Sequence, residues 1–412
     1  MVSGVVEPAS ALGWLDFDAR ASDQVSTLLK ALEEPGTLDP LGIGVIRDIY
    51  SDRFAPGTST IQTRLRYFVF LPWIFERIER DRVSASQFAR RLRRDEAQLI
   101  ESLRHLGPDN GVIGYHARGQ LLRMPSTAYW GGLGSWGIRR HDLSLAEYGR
   151  AVEAFWPREA ERDDDGVAAN RSQTMWTAMP PAPDGFPDVD LTFELTRSEA
   201  ELVREHIVQR HAGSLLAAAC ADPAAAADTV WPWDLDQTHL AADLAAAVHH
   251  ARCVSELTLG PQHLYNLLLA RKAHTELGWE TSALHDKVER DLAHWAELVA
   301  QRRPVLEPWV ERIDDEFWPS LDEHRVKEPT RRFVSEIVRL AVEDPEHLGG
   351  SAVAQRQLEL REQAIKGPRA RLTNRGALEA WNQQPFGGQL IYRWHMARSY
   401  LSDLAAGLEA VD

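Results

Sequence analysis

Three short patterns carry residue types that do chemistry when a fold holds them correctly. Gly132-x-Gly134-x-x-Gly137 has the spacing of a dinucleotide loop, whose glycines let backbone N–H groups close on a pyrophosphate. That chemistry needs a strand entering the loop and a helix leaving it. Here TAYW precedes the glycines, Trp136 lies inside the pattern, and no βαβ rhythm or ribose-binding acid follows. A turn between helices is expected, with no nucleotide cofactor. Asp234-Leu-Asp236-Gln-Thr238 has the DxDxT spacing of aspartyl-phosphate phosphotransferases, with Asp314-Asp315 as the downstream acids. Its leader, Trp231-Pro232-Trp233, puts proline where a central strand must run, so capping by Asp236 or Thr238 is the simpler reading. His285-Asp286-Lys287 has the HxK spacing of phospholipase-D-type nucleases. Residues i and i+2 share a face in a strand and diverge in a helix, and this segment runs into the helical stripe Val288, Leu292, Trp295, Val299.

Histidines and carboxylates build no recognisable metal motif. His206 and His211 are five apart and miss the i, i+4 spacing of an HExxH helix; His249, His250 and His263 fall near Glu256 but point in different directions on a helix. Asp188 with Glu194 lacks a following lysine for almost eighty residues. No P-loop and no GxSxG elbow is present. No metal and no catalytic residue is assigned.

Two basic segments remain. Residues 76–94 hold seven arginines against Glu76, Glu79 and Asp81, a formal +4, and include Arg90, Arg91, Arg93 and Arg94. Residues 366–375 hold Lys366, Arg369, Arg371 and Arg375 with no acid, again +4, and Arg393 and Arg398 follow beside Tyr392, Trp394 and His395. Guanidinium forks bind phosphates and neighbouring aromatics stack on bases, so the 366–398 region is the expected contact for DNA or an acidic partner, with Arg90–Arg94 second.

These residues must be positioned by helices. A helix is expected at Ser22–Glu34, another from Asp39-Pro40 to about Asp52, and a third from Thr60 kinked at Pro72. Phe88, Leu92, Leu99, Leu103 and Leu106 form one stripe of a fourth. After Gly107–Gly111, VIGY and QLLRM suit a small β-hairpin near 111–124, followed by a helix from about Leu143 to Trp156. Residues 157–190, acidic from Glu159 to Asp165 and then rich in proline, read as a linker or surface strap, with Trp176 and Phe186 arguing against a solvated tether. Thr196 and Glu199 form a capping box for a helix to Arg210, and further helices are expected near 240–257, 261–277, 281–302, 328–342, 351–365 and 390–408. The predicted fold class is mainly α: a helical domain over 1–156, a linker over 157–190 and a helical bundle over 191–412.

Composition narrows the function classes. With a net charge of −15 the body repels nucleic acid, so any contact needs a local basic patch. The fourteen tryptophans, scattered from Trp14 to Trp394, are expected as packing anchors. Cys220 and Cys253 supply neither a disulfide framework nor a CxxC zinc site. The longest apolar run, Tyr67 to Phe75, is far too short for a bilayer, and MVSGVVEPASALGWLDFDAR has no basic n-region, so a cytoplasmic location is expected.

STIQTRLRYFVFLPWIFERI, GVIGYHARGQLLRMPSTAYWGGLGSWGI and KGPRARLTNRGALEAW with LIYRWHMARSYLSDL resemble an uncharacterised bacterial family, a conserved domain of unknown function, over most of both halves. The acidic linker is the departure. Members resemble accessory components encoded near helicase-type and phospholipase-D-like genes in phage-defence islands. The resemblance implies a genomic context and carries no catalytic residues. The resulting expectation is a non-catalytic accessory or scaffold subunit of a DNA-directed defence complex, partnered by helicase- or nuclease-type proteins, by DNA, and by no membrane. The rival is a metal-dependent nuclease or other hydrolase built from dispersed Asp, Glu and His.

Overall fold

A computed structural model describes residues 39–117, 121–157, 174–321 and 325–411. The helix expected at Ser22–Glu34 and the acidic run Glu159–Asp165 lie outside the described residues. The chain is mainly helical, as its periodicity predicted: α1 (Gly44–Phe54), α2 (Tyr67–Arg80), α3 (Ala85–Leu103), α4 (Pro125–Ser135), α5 (Leu145–Ala151), α6 (Arg197–Arg210), α7 (Ala242–Leu277), α8 (Ser282–Glu311), α9 (Glu328–Glu343), α10 (Ala352–Lys366) and α11 (Trp394–Glu409), with shorter helical turns between. Local chemistry sets the starts. Asp39 accepts the Leu41 and Gly44 N–H groups ahead of α1. Ser144 with Glu147, and Thr196 with Glu199, close reciprocal capping boxes on α5 and α6, satisfying amides the helices leave open.

Three expectations need correction. The helix placed from Thr60 begins at Tyr67, because the preceding amides are taken by tertiary partners: Thr63 and Arg64 donate to the Tyr129 hydroxyl at 2.8 and 3.0 Å, and Leu65 to Asp403 at 2.9 Å. The hairpin is not formed by the described residues near 111–124, which are turns and coil. Gly111 and Gly114 adopt φ of 80° and 81°, incompatible with an extended strand, and the Ile113 N–H donates to the Tyr67 hydroxyl instead of to a ladder. The helices expected on either side of Gly260-Pro261 are one, α7. Proline removes a single N–H from the ladder, and Gly260 admits the Trp295 indole against the helix, so packing holds what the local break would release.

The described residues divide into two compact units, 55–230 with 395–411, and 39–54 with 231–394. In the first, the stretch Tyr67 to Phe75 of α2 is apolar all round and buried throughout, which is why this run reads as core. Phe68 stacks on Trp136 at 3.9 Å and Phe75 on Trp176 at 4.8 Å. Residues 174–190 have no helix, carry a single β-bridge between Arg139 and Trp176, and pack within this unit. The Trp73 indole donates to the Pro180 carbonyl at 2.7 Å, so this stretch is a strap rather than a tether. In the second unit α7 packs against α8, α9 and α10. Among the described residues no helix is long and apolar enough to cross a membrane.

Candidate nucleic-acid interface

The basic stretch expected to meet a partner is largely absorbed by its own unit. Lys366 ends α10 with its side chain 2% exposed, its Nζ 3.7 Å from Glu362 Oε1. Glu362 is itself fully buried, accepting from the Tyr265 hydroxyl at 2.6 Å and the Leu372 N–H at 2.8 Å. Burial pulls the Lys366 ammonium below its ordinary value, against the pull of Glu362. Lys366 is therefore a structural cation and is removed from the surface set. Arg375 pairs with Glu379 one turn on at 3.1 Å, Arg371 is half-buried, and Arg369 is exposed. Arg393 pairs with Asp52 at 3.1 Å. Arg398, in the other compact unit, donates to the Ala227 carbonyl at 3.0 Å.

The second basic segment is better placed. The turn from α2 to α3 and the outer face of α3 expose Arg80, Arg82, Arg90, Arg93 and Arg94. Phe88, Leu92, Leu99 and Leu103 hold the opposite face of α3 in the core, so the helix turns its arginines outward by necessity. Arg91 differs: it bridges Asp81 at 2.5 Å and buried Asp95 at 2.7 Å, a structural double pair. Arg94 reaches Asp95 at 3.2 Å yet stays 67% exposed. The Arg93 guanidinium donates to the Leu121 carbonyl at 3.0 Å, and Arg82 to that of Pro157 at 3.2 Å. The acids counted against these arginines are weakened. Glu79 is buried, accepts from the Tyr148 hydroxyl and, at 3.2 Å, from the Trp176 indole, and burial pushes its carboxyl up to about 7. Burial likewise raises Glu76 to about 7. Near neutral pH these two carboxyls offset the arginines less than their formal charge implies, while Asp81 and Asp95 remain the acids bonded to Arg91.

The remaining chemistry-bearing residues are occupied locally. Gly132 and Gly134 lie inside α4, where a Cβ on Gly132 would strike Phe68 and the Gly57 carbonyl, so the glycines serve close packing; Gly137, at φ 71°, makes the turn that follows. Asp234 accepts the Trp231 N–H at 2.9 Å and Asp236 the Thr238 N–H at 3.0 Å, both local turns. His285 and Lys287 sit on α8 and face Glu289 and Asp291 one turn on. Asp188 accepts from Gln98 at 2.7 Å, and Glu194 lines a cleft of about 530 Å³ with Arg66, Thr192 and Thr196. Ser135 and His211 look like a nucleophile and its base, with Oγ and Nε2 2.9 Å apart. The same Nε2 is 2.9 Å from the Ser135 carbonyl, which only accepts, so this nitrogen carries the proton and cannot take one from serine. Cys220 and Cys253 are buried and their thiols pushed up to about 12 by burial, leaving no thiolate nucleophile near neutral pH. Among the described residues no three His, Cys, Asp or Glu side chains converge as a metal site.

Fold and site together define a mainly helical protein whose distinguishing surface is an arginine-bearing helical face. Residues 9–407 match the model of a family described as "Family of unknown function (DUF6361)", and the chain belongs to that family. No curated protein and no solved structure matches it.

Proposed function

We propose that this chain is a non-catalytic helical accessory or scaffold subunit of a bacterial DNA-directed, antiphage assembly, and that the arginine face of α3 meets the DNA backbone. One observation carries the reading: in a chain of net charge −15, Arg80, Arg82, Arg90, Arg93 and Arg94 stand exposed on one helix and the turn before it. Arg90 has no ion-pair partner among the described residues, and each guanidinium fits a phosphate as a planar fork. The resemblance to defence-cluster components supports the setting. Arg369, Arg371 and Arg375 form a secondary contact of the same kind.

Fluorescence anisotropy with a labelled DNA duplex across a salt series tests this. Binding should weaken with salt at a log–log slope near −0.9 per phosphate neutralised, and a triple Arg90/Arg93/Arg94→Ala variant should be shallower by about 2–3. Arg91 keeps Asp95 paired in that variant, so it should unfold close to wild type. Absence of salt-dependent DNA binding by the wild type overturns the DNA contact and leaves scaffolding through an acidic protein face.

A further inference from the structure

Trp231-Pro232-Trp233 builds a tryptophan pair unlike the other packing anchors. Trp231 is extended, at φ −117° and ψ 155°, as the proline after it favours, and Pro232 opens the short helical turn Pro232–Asp234. The two indoles lie parallel within 8°, their centroids 5.3 Å apart. Trp233 is buried and Trp231 half-buried, so Trp231 is the outer ring. The Arg252 guanidinium stands over the Trp233 ring at 5.9 Å and is held there by Glu256 at 2.8 Å. The column runs cation, indole, indole, and its outer end is the second face of Trp231.

Tryptophans deeper in the fold use their N–H groups. Trp73, Trp136, Trp295, Trp309 and Trp318 each donate to a carbonyl or a side chain at 2.7 or 2.8 Å. Trp233 is only 6% exposed, yet neither its indole N–H nor that of Trp231 meets an acceptor among the described residues. A buried indole ordinarily pairs this group. Two carboxylates beside the pair have oxygens to spare. Asp234 uses Oδ2 for the Trp231 main-chain N–H, and Asp236 uses Oδ1 for Thr238, so one oxygen of each is unpartnered, and both residues are exposed. The bonds from Thr238 hold Asp236 below the usual carboxylate range, with His239 adding to the pull. From Trp231 to Ala251 the chain has no lysine or arginine. The nearby cations are already engaged, Arg252 by Glu256 and Arg53 by Asp243 at 3.6 Å.

We infer that the outer face of Trp231, with Asp234 and Asp236, is a docking site for an arginine side chain of a partner protein. A guanidinium is flat, stacks on an indole through cation–π attraction and forks onto a carboxylate; a compact, strongly hydrated ammonium matches this combination less well. The partner's arginine extends the column from its open end, as Arg252 closes it from within. The unpartnered Trp233 N–H offers a donor to a carbonyl of the same partner segment. DNA has the wrong chemistry for this surface, because both carboxylates repel phosphate. The site lies in the unit that holds residues 231–394, so it stands whether or not the arginine face of α3 meets DNA.

The full chain, labelled with nitrogen-15 at its tryptophan indoles and titrated with N-acetylarginine amide, tests this by NMR. Trp231→Phe and Trp233→Phe assign the two signals. Both should shift saturably, while those of Trp295 and Trp309, bonded inside the fold, stay still. N-acetylcitrulline amide, which is as flat but uncharged, should bind at least about tenfold more weakly, having lost the cation–π attraction and the charge-assisted fork. Asp234→Asn with Asp236→Asn keeps an acceptor oxygen in each turn and removes both charges, and should weaken arginine binding by about tenfold or more. Unchanged Trp295 and Trp309 signals report that this variant is folded. No shift at either indole, or equal affinity for the citrulline compound, overturns the site on the unaltered chain alone. Full affinity in the double asparagine variant overturns the part given to the carboxylates and with it the choice of arginine. Salt-dependent DNA binding through α3 is read separately and neither rescues nor removes this site.

Discussion

Glu96 offers the sharpest physical test of the first compact unit. It is 1% exposed on α3, and its carboxylate accepts the Ser126 N–H at 2.6 Å, capping α4 from a neighbouring helix because Met124 at the N-cap position offers no side-chain acceptor. Burial raises its carboxyl from 4.5 to about 7 despite the opposing bonds from Ser126. The folded chain therefore holds this proton more tightly than the unfolded chain between those two values. Stability contributed here is fully present below pH 4.5 and is lost as pH rises through about 7. At pH 8 that difference in proton affinity is worth about 3 kcal/mol. Glu96→Gln keeps an oxygen for the Ser126 N–H and cannot ionise. Urea unfolding followed by tryptophan fluorescence should show the variant gaining on wild type by about 2.5 kcal/mol more at pH 8 than at pH 5. Comparing the difference at two pH values cancels Glu76 and Glu79, which titrate in the same window in both proteins. A difference independent of pH would refute the claim that Glu96 is charged at a cost in the folded chain.

Lys366→Ala should destabilise its unit by about 3 kcal/mol, by leaving Glu362 buried without its cation, and should leave the salt slope of DNA binding unchanged. Gly132→Ala should cost about 1–3 kcal/mol in thermal or urea unfolding, because the new methyl meets the Phe68 ring and the Gly57 carbonyl. His250 accepts the Trp309 indole N–H at 2.8 Å, and burial pulls it down to about 4, so stability should fall as pH drops from 6.5 toward 4. His250→Gln, which keeps an acceptor for that indole, should blunt the loss in an acid titration followed by circular dichroism.

Local patterning marked the helices well where one signal governed each end. The Thr196–Glu199 box starts α6 as expected, and the buried stripe Val288, Leu292, Trp295, Val299 lies on α8. Failures came where tertiary contacts competed with local preference. Gly260-Pro261 is a strong local break, yet α7 continues through it because Trp295 needs the missing Cβ and donates to the Glu256 carbonyl at 2.8 Å. The amides of Thr63, Arg64 and Leu65 follow partners 65 to 338 residues away, invisible to any window. The buried polar row on α7 left a faint trace, Ser255, Gln262 and Asn266 at i, i+7 and i+11. Its meaning depends on a segment more than a hundred residues on.

Charge was the least legible property, because a count assigns equal weight to charges that the fold treats differently. Residues 76–94 and 366–375 both sum to +4. Widening each window by one helical turn leaves the sums equal, since it adds Asp95 and Glu96 to one and Glu362 and Glu379 to the other. The difference is tertiary. Tyr265 and the Leu372 amide fix Glu362 in the core and with it Lys366, subtracting from the C-terminal segment. Tyr148 and Trp176 fix Glu79 in the core, where its carboxyl is raised, subtracting an acid from the other. Burial thus moves the two equal sums in opposite directions, and the segment that keeps its arginines in water is the one on α3. A surface that meets phosphates must hold its cations in water before binding, and α3 exposes Arg90, Arg93 and Arg94.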